Sequence, residues 1–147
     1  MNFKMMCGAV CILCVAFLIS IVLFARRSIF TESFGNKDSG ELTSLDELND
    51  TNTIYIIKFY AEWCPYCKKI KDIWDKVHDQ LNGIKKSSGE SIKLFQIGED
   101  NMNLSKFKET FNFDIDGFPT IIKMKNNKID VYEGSRTYES IKSYCEN

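Results

Sequence analysis

"YAEWCPYCKK", residues Tyr60–Lys69, sets two cysteines three positions apart, with a proline directly after the first. Leading into it, Ile54–Tyr60 ("IYIIKFY") is a nearly continuous β-branched and aromatic run, as a buried central strand reads. Behind it, Cys67, Ile70, Trp74, Val77 and Leu81 recur at three- and four-residue steps, predicting a helix from Pro65 to Leu81 with one apolar stripe. Lys68, Lys69, Lys71, Asp72, Asp75, Lys76 and Asp79 fill its remaining surface, and Asn82-Gly83 ends it. The strand delivers Cys64 to the mouth of the helix as an accessible thiol. Cys67 begins the buried face, sheltered behind it.

Unpaired N–H groups and the helix dipole make such a mouth mildly positive, which favours thiolate over thiol. A free cysteine titrates near about 8.5, and helix N-termini or CxxC settings lower that by one to several units. Pro65 stands where a helix best tolerates proline. The geometry suits an attacking thiol, Cys64, with a resolving partner, Cys67. Zinc needs about four ligands, and the other candidates outside the apolar N-terminus are only His78 and the distant Cys145. A structural disulfide across so short a loop would stabilise little. We expect no metal and no cofactor beyond the dithiol.

The chain has 147 residues, enough for one domain with a real core, and a net charge of −1 that gives no argument for nucleic acid. Its six cysteines fall into three groups, unlike the even scatter of a small disulfide-stapled domain. Met5–Ala25 lacks any charged residue and as a helix would span roughly 30 Å, the thickness of a bilayer's hydrocarbon. It outruns the apolar stretch of a signal peptide, and Leu23 stands where cleavage wants a small residue. A transmembrane anchor over residues 1–27 is the expectation, with a cleaved leader as the alternative. Cys7, Cys11 and Cys14 share one face of it, read as small apolar packing. Arg26 and Arg27 lean toward a cytosolic C-terminal domain by a thin margin over Lys4 and the amino terminus. Two sequons, Asn49-Asp50-Thr51 and Asn103-Leu104-Ser105, would matter only in a secretory lumen.

Residues 28–41 read as a polar linker, and 42–147 as the soluble domain. There Ser44-Leu45-Asp46-Glu47 offers a capping-box helix start, Ile92–Ile97 a strand, and Asn103–Phe111 a short amphipathic helix. "TIIKMK" and "KIDVYEG" are strands joined at Asn126-Asn127, hence antiparallel, and a last helix runs from Thr137 to Cys145. The order α-β-α-β-α-β-β-α implies an α/β domain, a central mixed β-sheet flanked by helices. His78 reads as a solvated surface residue, Trp74 as core and Cys145 as a half-buried spare thiol.

Three elements in this order resemble the thioredoxin superfamily, and within it the catalytic domains of protein disulfide isomerases. "FYAEWCPYCK" is similar to the strand-to-active-site segment, with Trp63 before the first cysteine; "GFPT" (Gly117–Thr120) to the element whose proline is cis and lies opposite the active site; and "YEGSRTYESI" (Tyr132–Ile141) to the ending where a glycine and an arginine precede the last helix. The resemblance implies a thioredoxin fold over about Leu42–Tyr144. It implies Pro119 as the cis-proline, with the backbone of Phe118 pairing with an extended substrate, and Trp63, Pro65 and Tyr66 on the substrate surface. Arg136 would match the arginine that swings toward the resolving cysteine, against the plain reading of a surface charge near a helix start. Pro65-Tyr66 departs from the Gly-His of isomerases and matches the CPYC of glutaredoxins, whereas Trp63 does not suit a glutaredoxin. Lys58 stands where the family usually has a buried acid that carries the proton of the resolving cysteine. Two readings of it stay open: a desolvated lysine that tunes Cys67, or one that snorkels to the strand's edge.

The expected activity is that of a membrane-anchored thiol–disulfide oxidoreductase acting on cysteine-containing protein substrates, with no nucleic-acid partner and an unidentified recycling partner. A glutathione-linked, glutaredoxin-like reductase and a non-catalytic adaptor are the alternatives. The first needs a basic site for glutathione carboxylates, and the second would carry an inert dithiol. Two placements of the domain stay open, the endoplasmic reticulum lumen and the cytosolic side.

Overall fold

The computed structural model describes residues 40–147. The expected anchor over residues 1–27, with Cys7, Cys11 and Cys14, and all but the last two residues of the expected linker lie outside the described residues. Among the described residues no helix is long and apolar enough to cross a membrane.

Strand β1 (Thr53–Tyr60) is fully buried until its last residue, because both of its faces are covered. It runs parallel to β2 (Ser91–Gly98) on one side and antiparallel to β3 (Thr120–Lys125) on the other, and β3 pairs antiparallel with β4 (Lys128–Val131). The sheet order is β2-β1-β3-β4. Helix α1 (Pro65–Leu81) follows β1 over the bounds its apolar stripe predicts; α2 (Met102–Phe111) follows β2, and α3 (Tyr138–Glu146) ends the chain. Among the described residues the first helical segment is a single 3-10 turn, Leu45–Leu48, closed by the expected capping box between Ser44 and Glu47.

Alternation along β1 sorts the core into two layers. Ile54 and Ile56 meet Ile70, Trp74, Val77 and Leu81 of α1 and Ile141 and Cys145 of α3. Tyr55, Ile57 and Phe59 meet Leu104 and Phe107 of α2 and Leu48 of the 3-10 turn. Asn126 and Asn127, at φ 50° and 61°, make the left-handed two-residue turn that a β3–β4 hairpin prefers. Strand β4 stops sooner than its apolar run suggests. Tyr132 turns into the core, its hydroxyl 2.5 Å from Ser135 O and 2.6 Å from Ser140 Oγ. A Cβ on Gly134 would lie 2.6 Å from that tyrosine ring, so only glycine fits there.

Gly40–Leu42 lies along the outer edge of β2, with Leu42 N donating to Gln96 O at 2.9 Å and Gln96 N to Gly40 O at 2.7 Å. This segment corrects one expectation. His78 is buried rather than solvated, because Gly40 crosses it so closely that a Cβ there would sit 2.6 Å from Nε2. Cys145 is likewise fully buried rather than half-buried. The two sequons also part company. Asn49 is exposed, whereas Asn103 is buried with its amide donating to Leu42 O at 2.9 Å.

Candidate active site

Cys64 is the N-cap of α1, with extended backbone, and its sulfur accepts the amide hydrogen of Cys67 at 3.2 Å. That bond satisfies one of the orphan donors at a helix start. Both sulfurs are free thiols. Across from them the Phe118–Pro119 peptide is cis, as the resemblance implies, and the Cys64 thiol donates to Phe118 O at 3.3 Å. The pair, Ala61, Tyr60 and Phe118 form a small apolar cluster of their own.

The pair is therefore more enclosed than expected. Cys64 is only 2% exposed and Cys67 6%, because the Phe118–Pro119 loop covers the thiol that the helix mouth would otherwise present. Exposure falls instead on the flanking rings, Trp63 at 67% and Tyr66 at 68%. Trp63 stands edge-on to Phe118 at 6.3 Å and donates its indole N–H to Glu99 at 2.5 Å. Pro65 opens α1 on the exposed side.

Burial pushes the Cys67 thiol up to about 11, and the hydrogen bond with Cys64 adds to the rise; Lys58 pulls the other way. Lys58 is 4% exposed, on the Ile54–Ile56 face, its Nζ 5.1 Å from the ring centres of both Tyr60 and Trp74. Burial lowers it to about 8, opposed chiefly by Asp75, then Cys67. So it does not reach the strand's edge. Arg136 is exposed and rests on the loop rather than on either cysteine: Nη2 donates to Pro119 O at 3.4 Å and the guanidinium lies 5.2 Å from the Tyr132 ring centre.

Sequence reasoning missed two acids. Glu99 positions Trp63 from the end of β2. Glu41 accepts from Gly98 N at 3.1 Å and Asn101 Nδ2 at 2.9 Å with one oxygen, and from Tyr60 O–H at 3.3 Å with the other. No local pattern marks either one, since every partner lies at least 19 residues away along the chain.

A helix-capping dithiol facing a cis-proline loop, on a mixed sheet with helices on both faces, defines a thioredoxin-type domain. The family model described as Thioredoxin matches residues 42–147, and the chain belongs to that family, with a domain of the protein disulfide isomerase type. It is 30% identical over 115 residues to protein disulfide-isomerase MPD1 of Saccharomyces cerevisiae, covering 74% of this chain and 33% of that protein. To human protein disulfide-isomerase TMX3 it is 32% identical over 105 residues, covering 69% and 21%. The first thioredoxin domain of mouse protein disulfide-isomerase A4 superposes with a TM-score of 0.54 at 25% identity, over 79% of this chain and 84% of that domain. The chain thus aligns with a third or less of these curated relatives' length.

Proposed function

We propose that this protein is a membrane-anchored thiol–disulfide oxidoreductase that exchanges disulfides with cysteine-containing proteins through Cys64 and Cys67. One observation carries the reading: Cys64 Sγ, at the head of α1, lies 3.3 Å from the carbonyl of the cis Phe118–Pro119 loop. Relatives named protein disulfide-isomerase support the same chemistry.

The Cys64 thiolate attacks one sulfur of a substrate disulfide, forming a mixed disulfide and releasing the other substrate sulfur as a thiolate. Cys67 then attacks the Cys64 sulfur, closing Cys64–Cys67 and releasing the second substrate thiolate, so two electrons pass to the substrate. An incoming peptide replaces the thiol at the Phe118 carbonyl and lies against Trp63, Pro65, Tyr66 and Pro119. Arg136 holds the loop through Pro119 O and is placed to swing in when the loop moves.

Trp63 directly before Cys64 does not suit a glutaredoxin, which disfavours the glutaredoxin-like reading. Insulin reduction by the full chain tests catalysis. Cys64→Ser abolishes turnover, and Cys67→Ser accumulates the mixed disulfide. An inert wild-type dithiol would instead make the protein an adaptor. Disulfide exchange belongs where disulfides persist, and we place the domain in the endoplasmic reticulum lumen. Protection from protease in sealed microsomes, and a glycan on Asn49 with none on Asn103, are the expected results; digestion would place the domain on the cytosolic side.

A further inference from the structure

Among the described residues the three most exposed large apolar side chains are Met102 at 79%, Tyr66 and Trp63. All three stand at the dithiol end of the sheet. Trp63 and Tyr66 lie on either side of Cys64 in the chain, and Met102 opens α2 three residues after Glu99, the acid that holds the Trp63 indole. Rings left in water at one place mark a docking surface, and the charges around them say what docks. Strands β1 and β2 run parallel and finish level, Tyr60 opposite Gly98, so Glu62 after the one and Glu99 and Asp100 after the other share this end. Asp114 and Asp116 lead into the loop that covers Cys64, and all five acids are exposed. Of the cations at this end, Lys69 lies 5.2 Å from the Tyr66 ring centre and Arg136 rests on Pro119 O.

The opposite end is built the other way. The α1–β2 loop and the β3–β4 hairpin bring Lys85, Lys86, Lys125 and Lys128 there. Glu90 and Asp50, at the same end, are engaged: Glu90 by Lys125 and Ser88, Asp50 by Thr53 Oγ1 at 2.7 Å and Asn52 N at 2.9 Å. A net charge of −1 therefore hides a field whose negative pole surrounds the dithiol.

We infer that the preferred substrates are polypeptide segments with lysine or arginine close to the disulfide, docked against Trp63, Tyr66 and Met102 and selected by Glu62, Glu99 and Asp100. The inference rests on the disulfide-exchange reading above and names the substrate class of that same site. The apolar side chains supply contact area, and the carboxylates at their rim supply discrimination and speed of encounter. Glu99 serves both, since it accepts the Trp63 indole N–H and so brings its charge to the edge of the ring. The same rim repels acidic segments, so the preference is made of attraction and rejection together. Because these charges are exposed, they act over about 10 Å at 0.1 M salt and fade as salt rises.

The test uses the reduced full chain in detergent and three peptides that differ only beside their single cysteine, where each carries two lysines, two glutamines or two glutamates. Each cysteine is capped as a disulfide with 2-mercaptoethanol, and its reduction is followed by mass spectrometry. Rates are divided by those of the same peptide with dithiothreitol, which removes differences in the disulfides themselves. At about 20 mM salt the lysine peptide reacts about tenfold faster than the glutamate peptide, with glutamine between, and the spread narrows to about twofold at about 0.5 M. Glu62→Gln, Glu99→Gln and Asp100→Asn together level the order. Asp46→Asn, Glu109→Gln and Glu146→Gln, which remove the same charge elsewhere, keep it. Equal rates for the three peptides overturn the inference, and so does levelling by the second trio. Serine versions of the peptides, titrated by tryptophan fluorescence, keep the two readings apart. Charge-ordered binding with no reduction of any peptide sinks the exchange reading and leaves the docking surface standing. Reduction without charge order does the reverse.

Discussion

The two faces of the sheet are built on different terms. Against α2 lies an aromatic layer, with Phe59 and Phe107 at 5.2 Å and Phe107 and Phe111 at 4.6 Å between ring centres. Its polar groups are matched: Asn103 donates to Leu42 O, and the Tyr55 hydroxyl accepts from Asp50 N at 2.9 Å. Against α1 and α3 the layer holds Lys58, His78 and Cys145 among its apolar residues. Among the described residues, the two buried side-chain nitrogens without a hydrogen-bond partner, Trp74 Nε1 and His78 Nε2, are both on α1. Each such group costs about 1–3 kcal/mol. One face holds the fold together, and the other gives up stability by holding charged and polar side chains within it.

Three changes probe that contrast, beginning with the largest. Phe107→Ala removes a ring that three aromatic neighbours surround and is expected to cost about 3–5 kcal/mol in urea unfolding. A loss below about 1 kcal/mol would mean the aromatic layer is not the stabilising one.

Lys58→Met should do the opposite and raise stability at pH 7 by about 2–3 kcal/mol, since the lysine's pKa falls from 10.5 to about 8 on folding. In that window the unfolded chain holds the proton more firmly than the folded one, so wild-type stability climbs from about pH 8 to about pH 10.5. The methionine variant lacks that climb, and the gap between the two proteins closes as it proceeds. A destabilised Lys58→Met at neutral pH would break the comparison outright.

Smallest is a matched pair. Asn103→Ala leaves the Leu42 carbonyl only the longer bond from Asn101 Nδ2, at 3.5 Å, and should cost about 1–2 kcal/mol, whereas Trp74→Phe removes an unpaired N–H at some loss of volume and should stay within about 1 kcal/mol. Equal costs would erase the difference between the faces at this level.

How much was legible in the sequence follows the distance over which each cause acts. The bounds of α1 could be read because the stripe, Pro65 and Asn82-Gly83 are all local. The same is true of the hairpin, whose turn needs left-handed backbone at two successive asparagines. Alternation puts Lys58 on the same face of β1 as Ile56, and the sequence does not say which helix covers that face. Its place beside Trp74 was not readable, since that ring reaches it from a separate element. The enclosure of Cys64 comes from Phe118, 54 residues on, and the burial of His78 from Gly40, 38 residues back. A helical wheel shows which residues surround a position on its own helix and nothing of what crosses over it. That is why a histidine flanked by charges looked solvated.

The short outer strand has a consequence for neighbouring copies of the chain. Four residues long, β4 carries Lys128 and Asp130, and Lys125 stands just before its turn. Free backbone groups along a sheet's margin invite a stranger's strand, and brevity with charge withdraws the invitation. Crowded domains therefore stay separate bodies instead of zippering into one continuous ribbon, and each keeps its own dithiol in play.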